Sequence, residues 1–190
     1  MDLKEVNDEK RKVQITCPPS VNEPVIDCKR FSTWKRLLKV TAYVIPFCNN
    51  LCDKTHRDRE GDKVAVDPPD AEEVEKAEEF WIKKSQVGLS TRIAKGNFKT
   101  LNPFVDDKGI TRVGGRVDPA LVSYDSKDAA LLPYDHWISR LITHDAHQSG
   151  HPGIATTTAK TRRKYWIVKG NKLSKIIKRQ CTFNLQKDGS

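Results

Sequence analysis

The stretch that decides the C-terminal fold runs from residue 144 to 184 and reads HDAHQSGHPGIATTTAKTRRKYWIVKGNKLSKIIKRQCTFN. Zinc in structural sites is held by four imidazole nitrogens and thiolates, usually as two pairs that are each close in sequence. His144 and His151 form one such pair, and Cys181 begins the second. The partner of Cys181 is expected three residues later, where Asn184 offers only a poor amide ligand. The sequence therefore predicts a weakened zinc site, completed by His147, Asn184 or water.

Phrases of this stretch and of the preceding chain resemble a known polyprotein family. LITHDAHQSGHPG (141–153), RRKYWIVKG (162–170) and IIKRQC (176–181) resemble the His-His-Cys-Cys domain of retroelement integrases, especially those of BEL/Pao retrotransposons. RFSTWKRLLKVTAYV (30–44), FWIKKSQ (80–86) and LNPFVDDKGITRVGGRV (101–117) resemble the segment that joins RNase H to integrase in that family. The resemblance covers residues 25–184. It implies a domain that helps integrase to multimerise and to grip the DNA of the element.

Positive charge is concentrated in the C-terminal tail. The whole chain of 190 residues has a formal charge of +9, and residues 151–190 hold ten Lys or Arg against one acid. The first 150 residues are therefore neutral overall, and the basic surface is local. Phosphate backbones are the natural partner of such a surface, with little sequence preference. The candidate nucleic-acid-binding residues are Arg162, Arg163, Lys164, Lys172, Lys175, Lys178 and Arg179.

Hydrophobic periodicity predicts an α+β fold that is mostly helical. One N-terminal helix follows Ser32 and kinks or stops at Pro46, and a second begins at Asp70 with Glu73 completing a capping box. LNPFV and ITRVGGRV flank the turn DDKG and predict a small β-hairpin in the middle of the chain, with Gly109 at positive φ. Three helices are expected after Pro133, the first of them capped by Asp135, as in an integrase-type zinc-binding module.

The expected organisation has four parts. Residues 1–24 are polar and proline-rich and predict a disordered entry. Residues 25–69 hold a helical segment and a linker, residues 70–133 a helix with the hairpin, and residues 134–188 the zinc-binding-like domain. The chain has no apolar run long enough to span a membrane and no secretory signal, so an intracellular protein of the nucleus or cytoplasm is expected, without a membrane or small-molecule partner.

The leading functional hypothesis is a non-catalytic polyprotein fragment that binds DNA without sequence preference, self-associates, or does both. The resemblance implies that a DDE-type catalytic core would follow this segment in an intact element, so no integration chemistry is expected from the chain itself. A cluster of acids lies at a predicted helix start, where the helix dipole favours negative charge, so these acids are interpreted as structural rather than catalytic: Glu72, Glu73, Glu75, Glu78 and Glu79. The alternative is a metal-independent protein–protein interaction or structural fragment with no role on DNA.

Overall fold

The computed structural model describes residues 26–54, 68–114 and 128–187, the side chains of 47–54 and 182–187 excepted. The predicted entry over 1–24 and most of the predicted linker therefore lie outside the described residues. Within them the fold is α+β and mostly helical, with six α-helices and one four-stranded sheet. The predicted fold class is confirmed. No helix in the described ranges is long and apolar enough to cross a membrane.

Two N-terminal helices, α1 (Trp34–Lys54) and α2 (Ala71–Ser85), pack against each other. The capping box of α2 is confirmed, because Asp70 accepts from the backbone N–H of Glu73 and the Glu73 side chain accepts from that of Asp70. The indole N–H of Trp81 donates to Thr41 Oγ1 at 2.8 Å and ties the two helices together inside the core. Of the two outcomes predicted at Pro46, a kink or a stop, the stop is wrong, because α1 continues to Lys54.

The predicted hairpin is present and belongs to a larger sheet. Strand β1 (Pro103–Val105) pairs antiparallel with β2 (Thr111–Val113), and Gly109 in the turn has a φ of +75°. A short helix α3 (Leu89–Ala94) precedes the hairpin. Strand β3 (Ala130–Leu132) pairs antiparallel with β2 and parallel with β4 (Tyr165–Ile167), in the order β1-β2-β3-β4. These last two strands were not anticipated as partners.

Three C-terminal helices pack in pairs on one another: α4 (Trp137–Gln148), α5 (Ile154–Arg162) and α6 (Gly170–Lys187). The N-cap of α4 is His136, whose Nδ1 accepts from the backbone N–H of Ile138 at 3.2 Å. The prediction of Asp135 as the cap is therefore wrong by one residue. A neutral imidazole nitrogen accepts this bond as a carboxylate would, and burial lowers the pKa of His136 and so favours that neutral form.

The hydrophobic core includes residues on both sides of the predicted domain boundary between residues 133 and 134. Buried side chains of α1, α2, β3, α4, β4 and α6 form one hydrophobic cluster, with Leu37, Trp81, Leu132, Ile138 and Leu173 among its members. Strand β4 also hydrogen-bonds to β3 along its whole length. The C-terminal helices therefore pack against the sheet and the helices that precede them.

Candidate metal centre

Three potential metal ligands meet where the C-terminal helices converge. Ligand atoms of His147, His151 and Cys181 all lie within 4.8 Å of one another. His147 is in the last turn of α4, His151 lies between α4 and α5, and Cys181 is on α6. The chain reverses direction at Gly150 and His151, which have φ values of +91° and +46°. This left-handed turn returns the imidazole of His151 toward the end of α4.

The separations in this group suit a tetrahedral metal ion. Cys181 Sγ lies 3.2 Å from His151 Nδ1, and the two imidazole rings are edge to face with centroids 5.4 Å apart. Zn–N bonds of about 2.0 Å and Zn–S bonds of about 2.3 Å place neighbouring ligand atoms about 3.5 Å apart in a tetrahedron. Small rotations of the side chains would therefore bring all three ligands onto one ion.

The buried imidazole of His147 has a hydroxyl neighbour on α5. Its Nδ1 lies 3.4 Å from Thr157 Oγ1, and the same hydroxyl donates to the carbonyl of Gly153 at 3.0 Å. With its proton directed to the Gly153 carbonyl, the Thr157 hydroxyl can accept a hydrogen bond from an N–H at His147 Nδ1, the tautomer that would leave Nε2 for a metal ion. Metal-bound histidines commonly have a second partner of this kind. Burial, reinforced by the neighbouring His151 and His144, lowers the pKa of His147 and keeps the ring neutral.

His144 lies outside the group, although the sequence analysis placed it in the first pair. It is one helical turn before His147 in α4, and its Nδ1 is buried without a hydrogen-bond partner in the described part of the chain. Burial lowers the pKa of His144 as well. The histidines that the structure brings together are therefore His147 and His151, rather than the predicted pair of His144 and His151, because the turn at Gly150 directs His151 to the final turn of the helix. A spacing of three residues between ligands, which is common in zinc sites, was the available signal for this pair.

The remaining candidate ligand, Asn184, is in α6 one helical turn beyond Cys181. Its side chain is outside the described residues. Thr157 was not among the predicted site residues, because its role depends on contact between α4 and α5 and leaves no mark in the local sequence. Its hydroxyl links the buried histidine to the Gly153 carbonyl at the start of α5.

The predicted basic residues divide between two places. Lys172, Lys175, Lys178 and Arg179 are exposed and, at 100° per residue, fall within about one third of the circumference of α6. The opposite side of that helix carries Leu173, Ser174 and Ile177, which are buried. These four cations, named here the α6 basic face, form a continuous positive strip.

The other three basic candidates lie around the end of α5. Arg162 and Arg163 are exposed and line an open hollow of about 500 Å³ with Asn171, and the guanidinium of Arg162 lies 4.8 Å from the centroid of the Trp166 ring. Lys164 has a different environment, since its ammonium is 2.7 Å from the carboxylate of Glu78 on α2. That carboxylate also accepts from the hydroxyl of Tyr165. Lys164 is thus engaged in joining α2 to β4.

No protein-family model, curated protein or solved structure matches this chain. The site is accordingly interpreted from its own geometry and chemistry.

Proposed function

We propose that the C-terminal half of this chain is a zinc-stabilised, nucleic-acid-binding module of the retroelement integrase type, and that the chain is a non-catalytic part of a BEL/Pao-type polyprotein. The observation that carries this proposal is the convergence of His147, His151 and Cys181 beside a strongly basic helix. The proposal places the protein inside the cell, where a thiol stays reduced and available as a ligand.

The donor set favours zinc over other common metal ions. Two imidazole nitrogens and one thiolate suit a borderline-soft ion with tetrahedral preference, whereas calcium and magnesium require oxygen ligands. Zinc held by His147, His151 and Cys181 would cross-link the end of α4, the following turn and α6. The fourth position falls to Asn184 or water, and either of these makes the site weaker than one closed by a second thiolate.

Nucleic-acid binding is supported by the arrangement of charge. The α6 basic face presents four cations along one side of a helix that the metal group anchors at Cys181. Contacts from Lys and Arg to phosphate release counterions and give affinity that falls steeply with salt and depends little on sequence. The module is expected to bind duplex DNA in this manner at low salt.

The experiment compares two charge-reversal variants of the full chain. Lys175, Lys178 and Arg179 are changed together to Glu, and the matched control makes the same change at the exposed Lys35, Arg36 and Lys39 of α1. Retention of a short duplex at low salt is expected to disappear in the first variant and to persist in the second. Equal binding by the first variant and the unaltered chain would contradict the proposal.

A second candidate function, a metal-independent protein interaction that includes self-association, is favoured by the outer edge of the sheet. Strand β1 is an edge strand, and its Phe104 and Val105 are 38% and 65% exposed. Exposed apolar edge strands are prone to pair with other chains. Changing Val105→Lys should convert any dimer to monomer in light scattering, and an unaltered mass for a dimeric protein would exclude this edge as the interface.

A further inference from the structure

A second hollow, of about 460 Å³, lies on the side of the sheet where α3 approaches the chain segments before α4 and after β4. Its volume is within the range of about 300 to 1,000 Å³ found for small-ligand sites. The residues that matter for its chemistry are Arg92, Asn97, Phe98, Tyr134, Asp135 and Lys169. This group is called the aromatic cleft below.

Backbone strain is concentrated at this cleft and at the metal centre. In the described ranges, four residues other than glycine have positive φ, and two of them, Phe98 at +69° and Lys169 at +55°, line the aromatic cleft. A third is His151 of the metal group. Positive φ is unfavourable for a bulky side chain, and residues held in this state cluster at functional sites. The two strained residues thus contribute one aromatic ring and one cation to the lining of the same hollow.

The cleft combines aromatic rings with positive charge. Phe98 and Tyr134 are both half-buried, Arg92 and Lys169 are exposed at the rim, and Lys172 Nζ lies 5.6 Å from the centroid of the Tyr134 ring. Aromatic side chains bordered by cations are the arrangement by which proteins hold unpaired nucleotides, the rings stacking on the base and the cations meeting phosphate. The amide of Asn97 adds a group that can hydrogen-bond to a base edge, while the carboxylate of Asp135 lies 3.7 Å from the guanidinium of Arg92 and orients that cation at the rim.

We propose that the aromatic cleft binds one unpaired nucleotide of a single-stranded nucleic acid, or of a single-stranded end that extends from a duplex. The inference rests on the proposed nucleic-acid function and extends it. Lys172 of the α6 basic face lies beside the Tyr134 ring of the cleft, so a strand whose phosphates follow that face is led to the cleft by positive charge. A base inside a duplex is covered on both faces by stacking, so only an unpaired base can contact Phe98 and Tyr134.

The test uses the full chain and three DNA probes of equal length: a single strand, a blunt duplex, and a duplex with a three-nucleotide single-stranded end. Each single-stranded segment carries 2-aminopurine, whose emission falls when it stacks on an aromatic ring. Tyr134→Leu removes the ring but retains an apolar side chain, and Tyr134→Phe retains the ring. Lys39→Gln on α1 is the control for the loss of an exposed cation, matched to Lys169→Gln.

The expected result is tighter binding of the two probes that have unpaired bases, with quenching of their 2-aminopurine. Tyr134→Leu should weaken their binding about tenfold and reduce the quenching, since stacking of a base on one aromatic ring contributes about that much and only Phe98 remains. Tyr134→Phe should retain affinity within about twofold, and duplex binding should be unchanged in both variants. Lys169→Gln should weaken binding of unpaired probes about threefold more than Lys39→Gln does.

Two outcomes would overturn this inference while leaving the proposed function intact: equal affinity for all three probes, or equal loss of duplex and single-strand binding in Tyr134→Leu. Failure to bind any probe would remove the proposed function as well. If Tyr134→Leu does not fold, as judged by circular dichroism, Lys169→Gln against Lys39→Gln decides alone, and no difference between them refutes the cleft.

Discussion

Replacement of His147 by alanine tests the metal centre most directly. Four good ligands give structural zinc about 10 to 16 kcal/mol, or roughly 2.5 to 4 kcal/mol for each ligand. Because about 1.4 kcal/mol corresponds to a factor of ten, losing His147 should lower zinc affinity by about two to three orders of magnitude. His147 is 3% exposed and its Nδ1 lies within hydrogen-bonding distance of Thr157, so the ring is fixed in place. Its removal therefore takes away a ligand whose position is already set.

The matched control is His144→Ala, one turn earlier in the same helix. Its ring nitrogens lie outside the group formed by His147, His151 and Cys181, and zinc affinity should therefore change by less than about threefold. The measurement is titration of zinc against a chromophoric chelator, with helix content followed by circular dichroism as the metal is withdrawn. Stability measured with chelator in excess separates any packing loss at His147 from the loss of a ligand.

Asn184→Cys completes the set, since it places a thiolate three residues after Cys181. It should raise zinc affinity more than about tenfold, which corresponds to about 1.4 kcal/mol. A large loss in His144→Ala with none in His147→Ala would refute the ligand assignment made from the structure. If the unaltered chain and all three variants remain folded and none of them binds zinc, the metal centre itself is refuted and the interaction function takes its place.

Three further predictions concern residues that support the fold and the site. Thr157→Val removes the partner of His147 Nδ1 and should lower zinc affinity about tenfold in the same titration, as is usual when a metal-binding histidine loses the hydrogen bond to its other nitrogen. An unchanged affinity would show that the hydroxyl does not orient the ring. The side-chain amide of Gln86 hydrogen-bonds to backbone groups of β2 and β3, and Gln86→Met leaves those groups without this partner. The free energy of unfolding should fall by about 3 kcal/mol in urea denaturation. A loss below about 1 kcal/mol would contradict this. Burial tends to raise the pKa of Asp106, but hydrogen bonds from Arg112 and a backbone N–H outweigh it and the net pKa is lowered. Its contribution is therefore present above the unfolded pKa of about 4 and is lost as pH falls through the lower folded value, and Asp106→Asn should flatten the dependence of stability on pH below about 4; an equally steep acid dependence in that variant would exclude this ion pair as a source.

Several elements were predictable from the sequence because the forces that form them are local. The capping box at Asp70 needs only two side chains three residues apart, and the turn at Gly109 needs only one residue that tolerates positive φ. The basic side of α6 follows from helical periodicity alone. In each case the interacting groups lie within about one turn of each other in the chain, so the letters carry the information.

Other features depended on contacts between distant segments. Strand β3 is three residues long and has no periodicity that would mark β4, 35 residues later, as its parallel partner. Helix α1 continues past Pro46, although proline disfavours a helix interior. The sequence also placed a charged side chain, Asp135, at the cap that His136 occupies.

The metal centre shows the same division within one site. The sequence by itself predicted a site of imidazole and thiolate groups that lacks its second thiolate, and it named His151 and Cys181 among the candidate ligands. Only the tertiary structure shows that His147, rather than His144, lies beside them, because both are on α4 and their distance from His151 depends on where the turn at Gly150 directs the next segment. Which side chains can share a metal ion depends on their distance in three dimensions. Two histidines one helical turn apart differ too little in sequence context to reveal which of them lies closer to Cys181 on α6.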